Sequence, residues 1–113
     1  MDISIIIPTY NGAKRLPAVL DALRQQVNIA DLQGDIWVVD NNSTDNTAEV
    51  ISHYQETWSF PFSLHYLKET RQGAAYARQC GVNASTGELL GFLDDDNWPD
   101  PTWVSEAISF AQI

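Results

Sequence analysis

The chain has a single cysteine, Cys80, and only six lysines and arginines against fifteen acids. One cysteine excludes an internal disulfide and suits a cytoplasmic compartment. Its small neighbours suggest a packing thiol rather than a nucleophile. A net charge of −9 argues against the basic face that nucleic acid or an anionic membrane would need. No apolar run approaches the length of a membrane span. Met1-Asp2 leads straight into a strand pattern, so no signal peptide is expected. No G-x-G-x-x-G follows a strand and no G-K-[ST] occurs, which weakens a dinucleotide fingerprint and excludes a P-loop. A phosphate ligand would have to rely on a metal, a helix N-terminus or one of the few arginines.

What is present fits one compact domain, 1–113, of the α/β class. Ile3 to Ile7 is a β-branched run ended by Pro8, the pattern of a buried strand. Leu16, Val19, Leu20, Leu23 and Val27 then fall on one face of a helix. Pro17 is tolerable there only near the first turn. Ile36 to Val39 forms a second strand ending at Asp40. Ser43 and Thr44 are candidate caps of a helix through Ile51 and Tyr54, with Asp45 well placed for its dipole. A third strand is expected from Ser63 to Leu67. A third helix runs from Gly73 to Ala84, with the small face Ala74, Ala77, Cys80 and Ala84. So small a face implies close approach to the sheet. A fourth strand spans Glu88 to Leu93, and a last helix carries Trp103, Val104, Ala107 and Ile108.

The order β-α-β-α-β-α-β-α implies right-handed crossovers, a parallel sheet and three layers. A Rossmann-like strand order 3-2-1-4 would make the first and fourth strands neighbours. Ligands of open α/β sheets bind beyond the carboxyl ends of the strands, at the switch point. That crevice would lie between Pro8-Thr9-Tyr10 and Asp94-Asp95-Asp96. Three adjacent carboxylates with Asp100 nearby repel one another, and a divalent cation with oxygen ligands is the usual neutraliser. A calcium loop does not fit, because Trp98 and Pro99 stand where a ligand and the turn glycine belong. Asp40 at a strand end can accept from a base N–H or a ribose hydroxyl, or can simply sit beside a helix start.

Four segments carry a resemblance: "SIIIPTYNGAKRL", "VVDNNSTDNT", and the continuous stretch "RQGAAYARQCGVNASTGELLGFLDDDN", which supplies two. Together they resemble the N-terminal, nucleotide-sugar-binding half of a glycosyltransferase family 2 enzyme with the GT-A fold. The resemblance covers nearly the whole chain. It implies transfer of a sugar from a nucleoside-diphosphate donor, foremost a UDP-sugar, to a glycan or lipid-linked acceptor. The setting would be polysaccharide or glycan synthesis. It implies donor contacts from Pro8, Thr9, Tyr10, Asn11, Asp40, Asn42, Gly73, Arg78, Asp94 and Asp95. Arg71 stands where the family often has asparagine, though a guanidinium near a helix N-terminus suits an anion. The triplet matches the family's DXD motif, with Asp96 and Asp94 implied as ligands of Mn2+ or Mg2+. His53 and His65 read as structural, and Trp98 and Trp103 as packing residues.

The resemblance further implies an inverting displacement whose base lies in the second half of the domain. The abrupt apolar ending from Ala107 to Ile113 favours truncation, with the parent cytoplasmic or membrane-associated. An uncovered sheet edge would invite a homodimer. Three other readings compete. A catalytically inactive binding module would keep the same half-fold. A metal-dependent nucleotidyltransferase would need a glycine-rich basic loop where Thr9 to Arg15 holds one glycine. A phosphoacceptor receiver would place its acids after the first and third strands, whereas here they follow the second and fourth.

Overall fold

The computed structural model describes residues 1–111. The elements are β1 (Ile3–Thr9), α1 (Leu16–Arg24), β2 (Gly34–Asp40), α2 (Thr47–Thr57), β3 (Ser63–Lys68), α3 (Ala74–Ala84), β4 (Leu89–Phe92) and α4 (Trp103–Ala111). The four strands form one sheet in the order β3-β2-β1-β4. All three pairings are parallel, with Thr9 opposite Asp40 and Ile6 opposite Phe92. The expected alternation and strand order therefore hold. No helix among the described residues is long and apolar enough to cross a membrane.

The two faces of the sheet are covered unequally. Ile3, Ile5, Ile7, Ile36 and Val38 pack with Leu16, Leu20 and Leu23 of α1, Ile51 of α2 and Val104 of α4. The opposite face carries Ile6 and Val39, which meet Ala77 of α3. Alternation along β1 explains the split, because successive side chains of a strand point to opposite faces. A strand buried on both faces must be apolar throughout, and β1 is nearly so.

Four local expectations change. The first helix ends at Arg24, and Val27 is exposed rather than on its buried face. The chain leaves the helix there because it bonds to the approach of α4. The Val27 N–H donates to Pro101 O, and the buried Gln26 amide donates to Asp100 O and accepts from Val104 N. Ser43 and Thr44 do not cap α2; Asp45 accepts from the Thr47 N–H and hydroxyl instead. The inner face of α3 is Ala77 and Gly81, with Cys80 half-buried and Ala74 exposed. Of the two tryptophans read as packing, Trp103 packs against the core but Trp98 is 71% exposed. Gln112 and Ile113 of the apolar ending lie outside the described residues.

Gly81 sets the distance between α3 and the sheet. A Cβ there would sit 2.5 Å from Ile6 Cγ2 and 3.3 Å from Val39 Cγ2. Gly81→Val is therefore expected to destabilise the fold by about 2 kcal/mol through overpacking. An exposed change on the same helix, Asn83→Ala, should stay within about 0.5 kcal/mol. Urea denaturation midpoints of the two variants check this.

Candidate functional site at the strand switch point

Thr9 ends the central strand, and the neighbouring loops are tied to it. Its carbonyl accepts from Asn41 N at 2.8 Å, and its hydroxyl donates to Asp95 Oδ2 at 2.7 Å. Between these attachments opens a cavity of about 450 Å3. It is bounded by the ends of β1 and β2, the turn after β4 and the first turn of α3. The switch-point crevice expected from the strand order is thus present.

Eight of the residues singled out from the sequence line this cavity: Pro8, Thr9, Tyr10, Gly73, Arg78, Asp94, Asp95 and Asp96. Four do not. Asp40 is 3% exposed, with Oδ1 accepting from Ser43 N at 3.0 Å and Oδ2 from the Tyr66 hydroxyl at 2.7 Å. Asn11 and Asn42 occupy left-handed backbone positions, φ 49° and 66°, which asparagine tolerates better than most residues. The Asn11 amide oxygen accepts from Thr44 N and Asp45 N, clasping the loop after β1 to the loop after β2. Arg71 pairs with Glu69 at 2.7 Å and lies over the Tyr76 ring, 4.7 Å from its centroid. That bond holds the Glu69 carboxyl below its ordinary range.

Five further lining residues were not among the expected ligand contacts: Arg15, Asn41, Gln72, Ala74 and Ala77. Asn41 is 4% exposed and bonded on every side. Its amide donates to Glu69 O and Arg71 O at 3.1 and 2.7 Å and accepts from Gly73 N at 2.8 Å. These bonds fix the loop before α3, where Gly73 holds φ 135°, a conformation that favours glycine. Arg15 donates to both oxygens of Asp95 at 3.0 Å. Its signal in the sequence was a cation closely following the first strand; Asn41 gave none beyond turn composition.

The charge pattern divides the acidic triplet. Asp95 is held by Thr9 and Arg15, and its side chain is 14% exposed. Asp94 and Asp96 are exposed, and neither carboxylate is hydrogen-bonded or ion-paired among the described residues. Across the cavity, the first turn of α3 presents the positive end of a helix dipole. Arg78 is a second positive wall and makes no ion pair among the described residues. Free carboxylates facing a cationic wall suit a ligand with both metal and phosphate.

The chain matches the model of glycosyl transferase family 2 over residues 4–113. It belongs to that family. A curated relative, glycosyltransferase AglE of Haloferax volcanii, is 33% identical over 95% of this chain and 34% of its own length. The structure of TarS 1-349 from S. aureus in complex with UDP superposes with TM-score 0.86 at 25% identity, covering 99% of this chain and 32% of that one. Mannosyltransferase PcManGT from Pyrobaculum calidifontis, in complex with GDP-Man and Mn2+, gives TM-score 0.82 at 30% identity, covering 96% of this chain and 31% of that one. The chain thus spans about a third of the length of AglE and of these two solved chains. The architecture of this glycosyltransferase chain is that of their GT-A fold.

The Tyr66–Asp40 bond predicts an alkaline effect. Burial, then the bond to Asp40, pushes the Tyr66 phenol up to about 12. Below pH 10 folded and unfolded chains both keep this proton, so the stabilisation is complete. Above pH 10 the unfolded chain releases it first, and stability falls until the folded phenol ionises near pH 12. The stability advantage of the wild-type chain over Tyr66→Phe should therefore shrink between pH 10 and 12 and stay constant from pH 7 to 9. Denaturation of both proteins across this range measures it.

Proposed function

We propose that the crevice binds a nucleoside-diphosphate sugar together with a divalent cation. It would act as the donor half of an inverting glycosyltransferase that passes the sugar to an acceptor hydroxyl. The observation that carries this reading is the meeting of two uncommitted carboxylates, Asp94 and Asp96, with Arg78 and the N-terminus of α3 in one cavity. The complexes of PcManGT with GDP-Man and Mn2+ and of TarS with UDP support it.

The donor atoms fit Mn2+ or Mg2+. Both are hard cations that take oxygen ligands, and Mg2+ sites commonly use one or two carboxylates completed by substrate phosphates. No group of three or more acidic, histidine or cysteine side chains is arranged to cage a metal among the described residues. Asp96 and Asp94 would hold the cation. When bound, it would act as a Lewis acid on the leaving diphosphate. The α3 N-terminus and Arg78 hold the phosphates from the other side. Tyr10, 48% exposed at the rim, offers a ring face to the nucleobase. In this reading both free carboxylates serve the cation. None remains to take the acceptor's proton, so this chain alone binds donor without transferring sugar.

Calorimetric titration with UDP and GDP, with and without Mn2+, tests the reading. Metal is expected to strengthen binding at least tenfold, about 1.4 kcal/mol, and Asp96→Ala should abolish that gain. Equal affinity in both conditions would remove the metal from the account. Incubation with sugar nucleotides, Mn2+ and simple acceptors should yield no glycosylated product. Turnover at an enzymatic rate, on the order of one per second or faster, would show that a base has been overlooked.

A further inference from the structure

We infer that Asp95 is not a ligand of the cation but one half of an ion-pair latch with Arg15, which positions Asp94 and Asp96 for it. The inference rests on the donor-site reading and adds a positioning role that the acidic triplet alone does not suggest.

Three bonds converge on the Asp95 carboxylate. Arg15 Nε donates to Oδ1 at 3.0 Å, Arg15 Nη2 to Oδ2 at 3.0 Å, and the Thr9 hydroxyl to Oδ2 at 2.7 Å. This is the two-pronged pairing that a guanidinium and a carboxylate favour, and it fixes orientation as well as distance. Arg15 is itself anchored, because Nη2 also donates to Tyr10 O at 2.9 Å. The turn after β4 is therefore fastened to the end of β1 from two sides.

Gly12 makes the fastening possible. A Cβ there would lie 2.0 Å from Thr9 Oγ1 and 2.8 Å from Asp95 Oδ2. The loop after β1 thus leaves room for the carboxylate to reach the Thr9 hydroxyl. Asp94 and Asp96, on either side of the latched residue, are left exposed at the cavity. Freeing Asp95 to bind a cation would break the Arg15 pair and remove one of the ties between the turn and the end of the central strand.

A ligand and a latch respond oppositely to loss of Arg15. If Asp95 were a ligand, Arg15→Ala would release its carboxylate and preserve or raise the gain in UDP affinity given by Mn2+. A latch predicts that Arg15→Ala and Asp95→Ala each cut that gain about fivefold or more. The double variant should do no worse than either single change, because the two residues act as one unit. The exchanged pair Arg15→Asp with Asp95→Arg should recover part of the gain. Gly12→Ala, which displaces Thr9 and Asp95 without touching a charge, should lower it as well.

Calorimetry with UDP, with and without Mn2+, gives the ratio for each variant, and a thermal melt shows that each is folded. A merely structural role would lower the melting temperature and leave the ratio unchanged, which overturns the inference. So would a gain that survives Arg15→Ala, or additive losses in the double variant. A wild-type protein without any metal gain overturns the donor-site reading and this inference with it. A wild-type gain that Arg15→Ala leaves intact overturns this inference alone.

Discussion

The site hangs from the two bonds of Thr9. Its carbonyl holds Asn41 and with it the loop before α3; its hydroxyl holds Asp95 and with it the turn after β4. β1 is the right strand for this task. It lies between β2 and β4, is paired with β4 as far as Ile6, and stays paired with β2 to its end at Thr9. Parallel strands in the order β3-β2-β1-β4 bring the ends of β1 and β4 together, though their sequences lie far apart. Burial of Ile3, Ile5, Ile6 and Ile7 fixes the strand, and the strand fixes the loops.

The chain spends few cations and uses them selectively. With a net charge of −9, an acidic cavity would repel a diphosphate unless the positive groups stood close to it. Arg24 pairs with Asp21 and Arg71 with Glu69, both away from the cavity lining. Arg15 is committed to Asp95, which leaves Arg78 and the α3 dipole facing the cavity. The close packing at Gly81 and Ala77 brings that helix against the sheet and sets where its N-terminus opens.

Much of this was legible in the sequence. Element order, strand order and the eight lining residues from Pro8 to Asp96 followed from hydrophobic runs, punctuation and the family resemblance. The failures have physical causes. Periodicity says which face a residue would take but not where a helix stops, so Val27 was placed on a helix that the Gln26 bonds to the α4 approach interrupt. Residue type shows that a carboxylate or amide is polar, not whether its partners are internal. The resemblance implies donor contacts from Asp40 and Asn11, and Arg71 suits an anion, but no sequence pattern foretells the bonds each makes within the protein. Conversely, Asn41 and Arg15 act through long-range contacts, to Gly73 and Asp95, that no local pattern encodes. The triplet reads as three equivalent acids in sequence; only the position of Arg15 separates its middle member.

The central claim is that the switch-point crevice holds a cation at Asp94 and Asp96 and a nucleotide diphosphate beside it. Paramagnetic broadening of backbone amide signals by substoichiometric Mn2+, in the presence of UDP, tests it most directly. The account predicts that the Asp94 to Asn97 signals broaden first, followed by Tyr10, Gly73 and Ala74, while those of Asp31 and Glu49 stay sharp. Broadening centred on Asp31 or Glu49, or spread evenly over the acidic surface, would contradict it.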